Sequence, residues 1–242
     1  MRGSAIFAMV LLLGASACAG QTPQSDETNA SAAAGDTASG PPPGPPPPLD
    51  FPPLEIGTAP EHDYTDAQIA RGAELVLFGG CNDCHTPWNM DPEIGIPVPD
   101  MSRMLSGHPR GAPDPQGTLG PRDMVLIGPT NTSFAFPFGV VYAMNLTPDM
   151  STGTGSWTEQ MFVDAFRNVK HMGGDGRTIL PPMPWPSMAS LSDADMVSIF
   201  AFMRSIPPIV NAVPPAQVPE PVIEAIGRAN QALLERMRAQ QR

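Results

Sequence analysis

The chain has 242 residues, of which 32 are proline and 23 glycine, so much of it cannot be regular structure, and the folded part is expected to be one domain of about 150 residues. Asp and Glu outnumber Lys and Arg by 24 to 13, and the resulting formal charge of −11 argues against nucleic acid and anionic lipid headgroups, which need clustered cations. Acidity of this size suits a basic patch on a protein partner, or serves only to keep an exported chain soluble.

Three cysteines leave an odd one in any disulfide scheme, so each needs its own explanation. Residues 1–17 carry one cation at Arg2, an apolar run from Ala5 to Leu13 and then small residues, the pattern of a secretory signal peptide and too short to span a bilayer. Ala15-Ser16-Ala17 ahead of Cys18 resembles the lipobox of bacterial lipoproteins, which makes Cys18 the expected lipidation site and accounts for the odd cysteine. An ordinary cleavage that leaves Cys18 a plain thiol is the alternative. The chain is thus expected to be exported to the periplasmic side of a bacterial membrane and held there by lipid, with Ala19 after Cys18 leaning toward the outer membrane.

Residues 18–57 are rich in Gln, Ser, Thr, Ala, Gly and Pro, a composition that buries too little apolar surface to fold and reads as a tether. In polyproline II, at about 3.1 Å per residue, Pro41–Pro53 alone would hold a domain roughly 40 Å from a surface. The expected domain covers residues 58–208, and residues 209–242 form a proline-rich stretch followed by a helix.

Cys81-Asn82-Asp83-Cys84-His85 has the C-x-x-C-H form of a c-type haem attachment. Two thiols three residues apart can each add to one vinyl group of haem, and the next residue then turns its imidazole toward the iron. A thioredoxin-like dithiol would want a βαβ context, and a structural zinc site would want two more ligands nearby. Thr65-Asp66-Ala67-Gln68 is a capping box, and Ile69, Gly72, Ala73 and Val76 repeat at helical spacing up to Gly79-Gly80, so a helix delivers the thiols. Gly72 within it implies that a ring, Phe200 or Phe202, or another backbone packs there.

An electron carrier holds its iron on both faces, and a thioether opposite the histidine favours the ferrous state. With 15 methionines in the chain, context must choose among them. Met161, Met196 and Met203 fall in helical patterns, whereas Met183 lies in Leu180-Pro181-Pro182-Met183-Pro184-Trp185-Pro186, which reads as neither helix nor central strand and is stiff. Met183 is the expected second ligand; His171 and His108 are its rivals, or are solvated loop histidines.

Ser192-Asp193-Ala194-Asp195 caps a helix with Met196, Ile199, Phe200 and Met203 inward, ended by Pro207-Pro208. Ser156-Trp157-Thr158-Glu159 begins another, with Met161, Phe162, Ala165, Phe166 and Val169 inward. These pieces together, with CNDCHTPW at 81–88, LSGHP at 105–109, NLTPD at 145–149, TGTGSWTEQMF at 152–162 and LPPMPWP at 180–186, resemble the mono-haem class I cytochrome c family, in a bacterial branch with extended loops.

The resemblance implies an all-α fold of cytochrome c-type helices around one covalent haem c, thioethers at Cys81 and Cys84, and His85 and Met183 as axial ligands. It also implies an electron carrier rather than an enzyme, a possible subunit of a dehydrogenase. Such a carrier would take electrons from a membrane-associated or periplasmic dehydrogenase and pass them to a terminal acceptor in the respiratory chain. A peroxidase-like haem enzyme, with His108 or His171 as distal group, and a tethered haem gas sensor are the alternatives; both would leave the position opposite His85 open.

His85 and Met183 stand further apart than a compact cytochrome of this kind needs, and most of the excess lies in residues 89–138. There Met124–Ile127 and Phe134–Tyr142, around Gly128-Pro129-Thr130-Asn131, predict a short hairpin that covers a haem edge or merely thickens the surface. Trp157 and Trp185 are candidates to line the haem pocket, and Arg167, Lys170 and Arg177 to neutralise its propionates. Beyond Pro208, Val222, Ile226, Ala229, Leu233 and Met237 form a helical stripe expected to pack on the same domain.

Overall fold

Helix α1, Asp66–Phe78, begins where the capping box places it: Thr65 Oγ1 accepts from the Gln68 amide at 3.3 Å, and Gln68 Oε1 accepts from the Thr65 amide at 3.0 Å. The structure is a computed structural model that describes Gly44 and residues 46–120, 123–174 and 176–240; the expected signal segment and Cys18 lie outside the described residues. Five more helices follow: α2 Cys81–His85, α3 Glu159–Arg167, α4 Trp185–Ala189, α5 Asp193–Ser205 and α6 Glu220–Gln240.

The main core forms where α1 crosses α5. On α1 the buried residues are Gly72 and Val76, and on α5 they include Met196, Ile199, Phe200 and Met203. A Cβ on Gly72 would overlap the Ser198 carbonyl oxygen and come within 2.8 Å of Phe202 Cβ. Backbone against backbone, rather than a ring alone, is therefore what Gly72 admits. Phe200 instead packs against Phe162 of α3, with ring centroids 5.5 Å apart.

Helix α3 starts two residues later than its sequence suggests. Thr158, not Ser156, is its cap and accepts from the Met161 amide at 3.1 Å, which leaves Met161 half-buried while Phe162, Val163, Ala165 and Phe166 turn inward. Val169 is fully buried, but beyond the helix end and at φ +55°.

An all-α fold is corrected here: among the described residues the chain is mixed helix and strand. Strand β1, Trp88–Met90, pairs antiparallel with β2, Pro97–Pro99. A second sheet has the order β3 Leu126–Ile127, β4 Ser133–Phe136, β5 Gly139–Tyr142, antiparallel throughout, with Leu126 opposite Ala135 and Phe134 opposite Val141. The expected hairpin is its first half, closed by the Gly128–Asn131 turn, in which the Asn131 amide donates to Gly128 O at 2.9 Å. The run predicted as one strand breaks at Pro137-Phe138, because proline cannot donate to a ladder, and so gives two.

The proline-rich stretch after α5 lies along the edge of β5, where Gln217 and Val140 exchange amide–carbonyl bonds of 2.8 and 3.2 Å. At the other end of the chain, Leu49 to Gly57 is tied to the domain. Leu49 bonds Asn89 through both its amide and its carbonyl, at 2.7 and 3.0 Å, and Ile56 bridges Ile209.

Helix α6 packs on its own domain, along a stripe shifted from the predicted one. Leu234 is buried, Ile223 and Ile226 meet the β4–β5 side, Met237 meets the main core, and Ala229 and Leu233 are exposed. The polar Asn230 occupies the centre of that stripe, which pattern reading for apolar residues passes over. Among the described residues no helix is long and apolar enough to cross a membrane.

Candidate functional site

Gly79-Gly80 ends α1 and turns the chain into α2. Gly80 has φ +64°, a conformation glycine adopts without cost, and its carbonyl accepts from the Asp83 amide at 3.0 Å. Thr86 Oγ1 donates to Asn82 Oδ1 at 2.8 Å, and Trp88 Nε1 and Asn131 Nδ2 both donate to the Asp83 carbonyl, at 3.1 and 2.6 Å. Five residues make a helix far too short to stand alone. These contacts hold it, the last of them from the insertion.

Cys81 and Cys84 are half-buried and not joined to each other. Cys81 packs against the main core, together with Met183, Trp157 and Leu146. Cys84 packs against a second cluster built on Phe134, Val141 and Leu180. The C-x-x-C segment and the Leu180–Met183 loop therefore span the same two apolar clusters. Burial pushes the Cys81 thiol up to about 11, and burial followed by the Asp83 charge raises Cys84. Thiols held neutral in this way are poor redox dithiols, whose attacking sulfur needs a depressed pKa.

His85 is 8% exposed. Its Nδ1 lies 2.8 Å from the Met144 carbonyl oxygen. A carbonyl only accepts, so Nδ1 carries the proton and Nε2 keeps its lone pair; burial keeps the ring neutral, though the Met144 bond works the other way. A neutral, oriented imidazole beside two unjoined thiols suits a c-type haem. Among the described residues no three His, Cys, Asp or Glu side chains converge to hold a metal ion, so a structural zinc site has no support.

Met183 is half-buried against the main core; its amide bonds Leu180 O at 3.3 Å and its carbonyl accepts from the Trp185 amide at 2.8 Å. The 180–186 stretch is not free of helix, since Trp185 and Pro186 begin α4, where proline in the first turn loses no hydrogen bond. Trp185 is buried and donates Nε1 to Asn230 Oδ1 at 3.1 Å. Asn230 Nδ2 in turn donates to Thr178 Oγ1 at 3.0 Å and Ile179 O at 2.9 Å. Asn230, which brackets the Met183 loop from both sides, escapes sequence reading because only the fold brings it there.

Neither rival histidine is a solvated loop residue. His108 is 1% exposed, with Nδ1 2.9 Å from Thr132 Oγ1, and its amide bonds Ala143 O at 2.9 Å. That ties its backbone to the residue before Met144, while its ring faces Tyr142, with centroids 4.9 Å apart. His171 is half-buried, edge-on to Trp157 with centroids 6.2 Å apart, and its pKa falls to about 4 through burial, then the charge of Arg177, then that of His85. Of the three candidate cations, Arg167 is committed elsewhere, bonding Asp193, Ala189 O and Leu191 O. Lys170 bridges Thr178 in the loop after α3. Arg177 is exposed and donates to Thr178 O at 3.0 Å.

No family model matches the chain. It is 28% identical over 170 residues to a gluconate 2-dehydrogenase cytochrome c subunit from Pantoea cypripedii, a match covering 70% of this chain and 30% of that protein. It is 27% identical over 157 residues to the cytochrome c subunit of a quinone alcohol dehydrogenase from Gluconobacter oxydans, covering 64% and 25%. It is 33% identical over 86 residues to a fructose dehydrogenase cytochrome subunit from Gluconobacter japonicus, covering 35% of this chain and 17% of that one. The chain thus spans less than a third of the length of these curated relatives. Their likeness supports a c-type cytochrome.

Proposed function

We propose that this chain is a mono-haem c-type cytochrome that takes single electrons from a dehydrogenase and passes them toward a respiratory chain. The observation that carries it is the pairing of Cys81-x-x-Cys84 with a buried His85 whose Nδ1 is tied to the Met144 carbonyl, leaving Nε2 to bind iron. Bound haem supplies an iron that alternates between ferric and ferrous states and so carries one electron.

The chain does the rest. Cys81 and Cys84 would bind haem covalently, and the two apolar clusters they touch would exclude water from it. His85 would ligate one face and Met183 the other, the thioether favouring the ferrous form. Arg177, which among the described residues has no carboxylate partner, would meet an anionic propionate. Cys18 would carry lipid and hold the domain at the periplasmic side of a bacterial membrane, the outer one by the residue that follows it. The dehydrogenase partner is proposed from the names of the relatives, and the acidic surface from the composition.

The test is an absorption spectrum, oxidised and reduced, of the full chain exported in a host that matures c-type cytochromes. Haem that stays attached on denaturation, together with the weak near-infrared band of sulfur-ligated ferric haem, is expected. Met183→Leu should abolish that band and His171→Leu should keep it. A covalent haem without the band in the unaltered protein would overturn Met183, and absence of covalent haem would overturn the cytochrome.

A further inference from the structure

The Met144 carbonyl that accepts from His85 is held by a clamp drawn from the insertion. Gly107 donates its amide to His85 O at 2.8 Å, and the next residue, His108, donates its amide to Ala143 O at 2.9 Å. Leu105 is bonded on both sides: its amide donates to Thr86 Oγ1 at 2.8 Å, and its carbonyl accepts from the Leu146 amide at 2.8 Å. Residues 105–108 and 143–146 are thus laid together across the back of the imidazole.

Gly107 is where they press closest. At φ +77°, a Cβ there would lie 2.5 Å from Met144 C, 2.7 Å from Ala143 O and 2.7 Å from Asn145 N. No side chain fits without moving the Met144 peptide. The surroundings are equally fixed. Buried Asn145 donates to Ile209 O at 2.8 Å, His108 is anchored through Thr132 to Thr130, and Asn211 Nδ2 donates to Ser106 O and His108 O at 2.7 and 2.9 Å.

We infer that Gly107 is a positioning residue for the iron: it sets the place of the Met144 carbonyl against His85 Nδ1, and through that bond the electron donation of the imidazole. The inference rests on the haem reading above and gives the insertion a role on the His85 side. A carbonyl that draws on the Nδ1 proton makes Nε2 the better donor, which favours ferric iron. Displacing the carbonyl then favours ferrous iron.

The experiment compares the full haem-loaded chain with Gly107→Ala, in a fixed mediator couple and by NMR of the His85 Nδ1 proton. Gly107→Ala should keep covalent haem and the near-infrared band, while its ratio of reduced to oxidised protein rises about threefold or more. Exchange of the Nδ1 proton with deuterium should quicken about tenfold. A folded, loaded variant with both readouts unchanged overturns the inference alone; an unaltered chain without covalent haem overturns the haem reading and this inference with it. If Gly107→Ala is not recovered folded, Asn211→Ala carries the test, with a shift of the same direction and about half the size expected. No shift there overturns the inference.

Discussion

Trp185 Nε1 and Asn230 Oδ1, on helices α4 and α6, are joined by a 3.1 Å hydrogen bond, and Asn230 uses its two amide protons on Thr178 and Ile179. One C-terminal side chain thereby ties the residues before the Met183 loop to the residue that follows it. Apolar packing could hold α6 in place, but only a group with an acceptor and two donors satisfies all three partners at once.

Asn230→Leu should therefore destabilise the domain by about 1–3 kcal/mol, since it strands the Trp185 donor and the Ile179 carbonyl in a partly dry site. It should act first on Met183. In a thermal ramp the near-infrared band should vanish several degrees below the loss of helical circular dichroism. Loss of both signals together would mean that Asn230 supports the fold as a whole and not this loop.

Gly72→Ala is expected to be severe for its size. The added methyl would meet the Ser198 carbonyl oxygen, a backbone atom that cannot rotate away, so α1 and α5 must separate. The cost should be about 2–4 kcal/mol by urea unfolding, at or above the usual range for overpacking. Ala73→Gly, one residue on, should cost only about 1 kcal/mol, the ordinary helix penalty. Similar losses at the two positions would contradict the close crossing.

What the sequence revealed divides along physical lines. The caps at Thr65 and Ser192, the apolar faces of α1 and α5 and the C-x-x-C-H segment were legible because each depends on neighbours within one or two turns. The start of α3 was misplaced because Ser156 and Thr158 both offer a hydroxyl, and only packing of Phe162 and Phe166 decides between them. Strands β1 and β2 went unseen since Pro97 and Pro99 argue against a strand, yet a three-residue edge pair tolerates them. Met144 and Asn230 gave no local signal at all, and His108 stood out only as a rival ligand, with nothing to reveal its bonds to Thr132 and Ala143. Their roles arise from hydrogen bonds between segments far apart in the chain, which no spacing encodes.

Arg167 and Arg177 should separate cleanly. Arg167 satisfies the carbonyls of Ala189 and Leu191 as well as Asp193, so Arg167→Leu should lower stability by about 1.5–3 kcal/mol, the range for hydrogen bonds to a charged group. Its effect on the reduction potential should be negligible. Arg177→Leu should do the reverse: stability close to unchanged and, if Arg177 meets a propionate as proposed, a lower potential, because loss of that cation favours the ferric charge. Redox titration and urea unfolding of the two variants side by side measure this, and a potential shift confined to Arg167→Leu would reverse the assignment.

Asp149 gives the acid dependence. Its Oδ1 accepts from the amide and hydroxyl of Ser151, at 3.2 and 3.0 Å, and from the amide and hydroxyl of Thr152, at 2.7 and 2.6 Å. Burial alone would raise its pKa, but these donors outweigh burial and hold the carboxyl below its usual 3.8. A folded-state pKa depressed below the unfolded one means that the unfolded chain binds the proton first as pH falls. The stabilisation is thus complete well above pH 3.8 and is lost as pH drops from there through the folded-state value. Asp149→Asn, which is less able to accept from four donors, should unfold at lower urea than the unaltered chain at pH 7, and the gap should narrow toward pH 3. Urea midpoints of both proteins across that range test it. A gap that widens with acid would mean the carboxylate is not what the Ser151 and Thr152 donors stabilise.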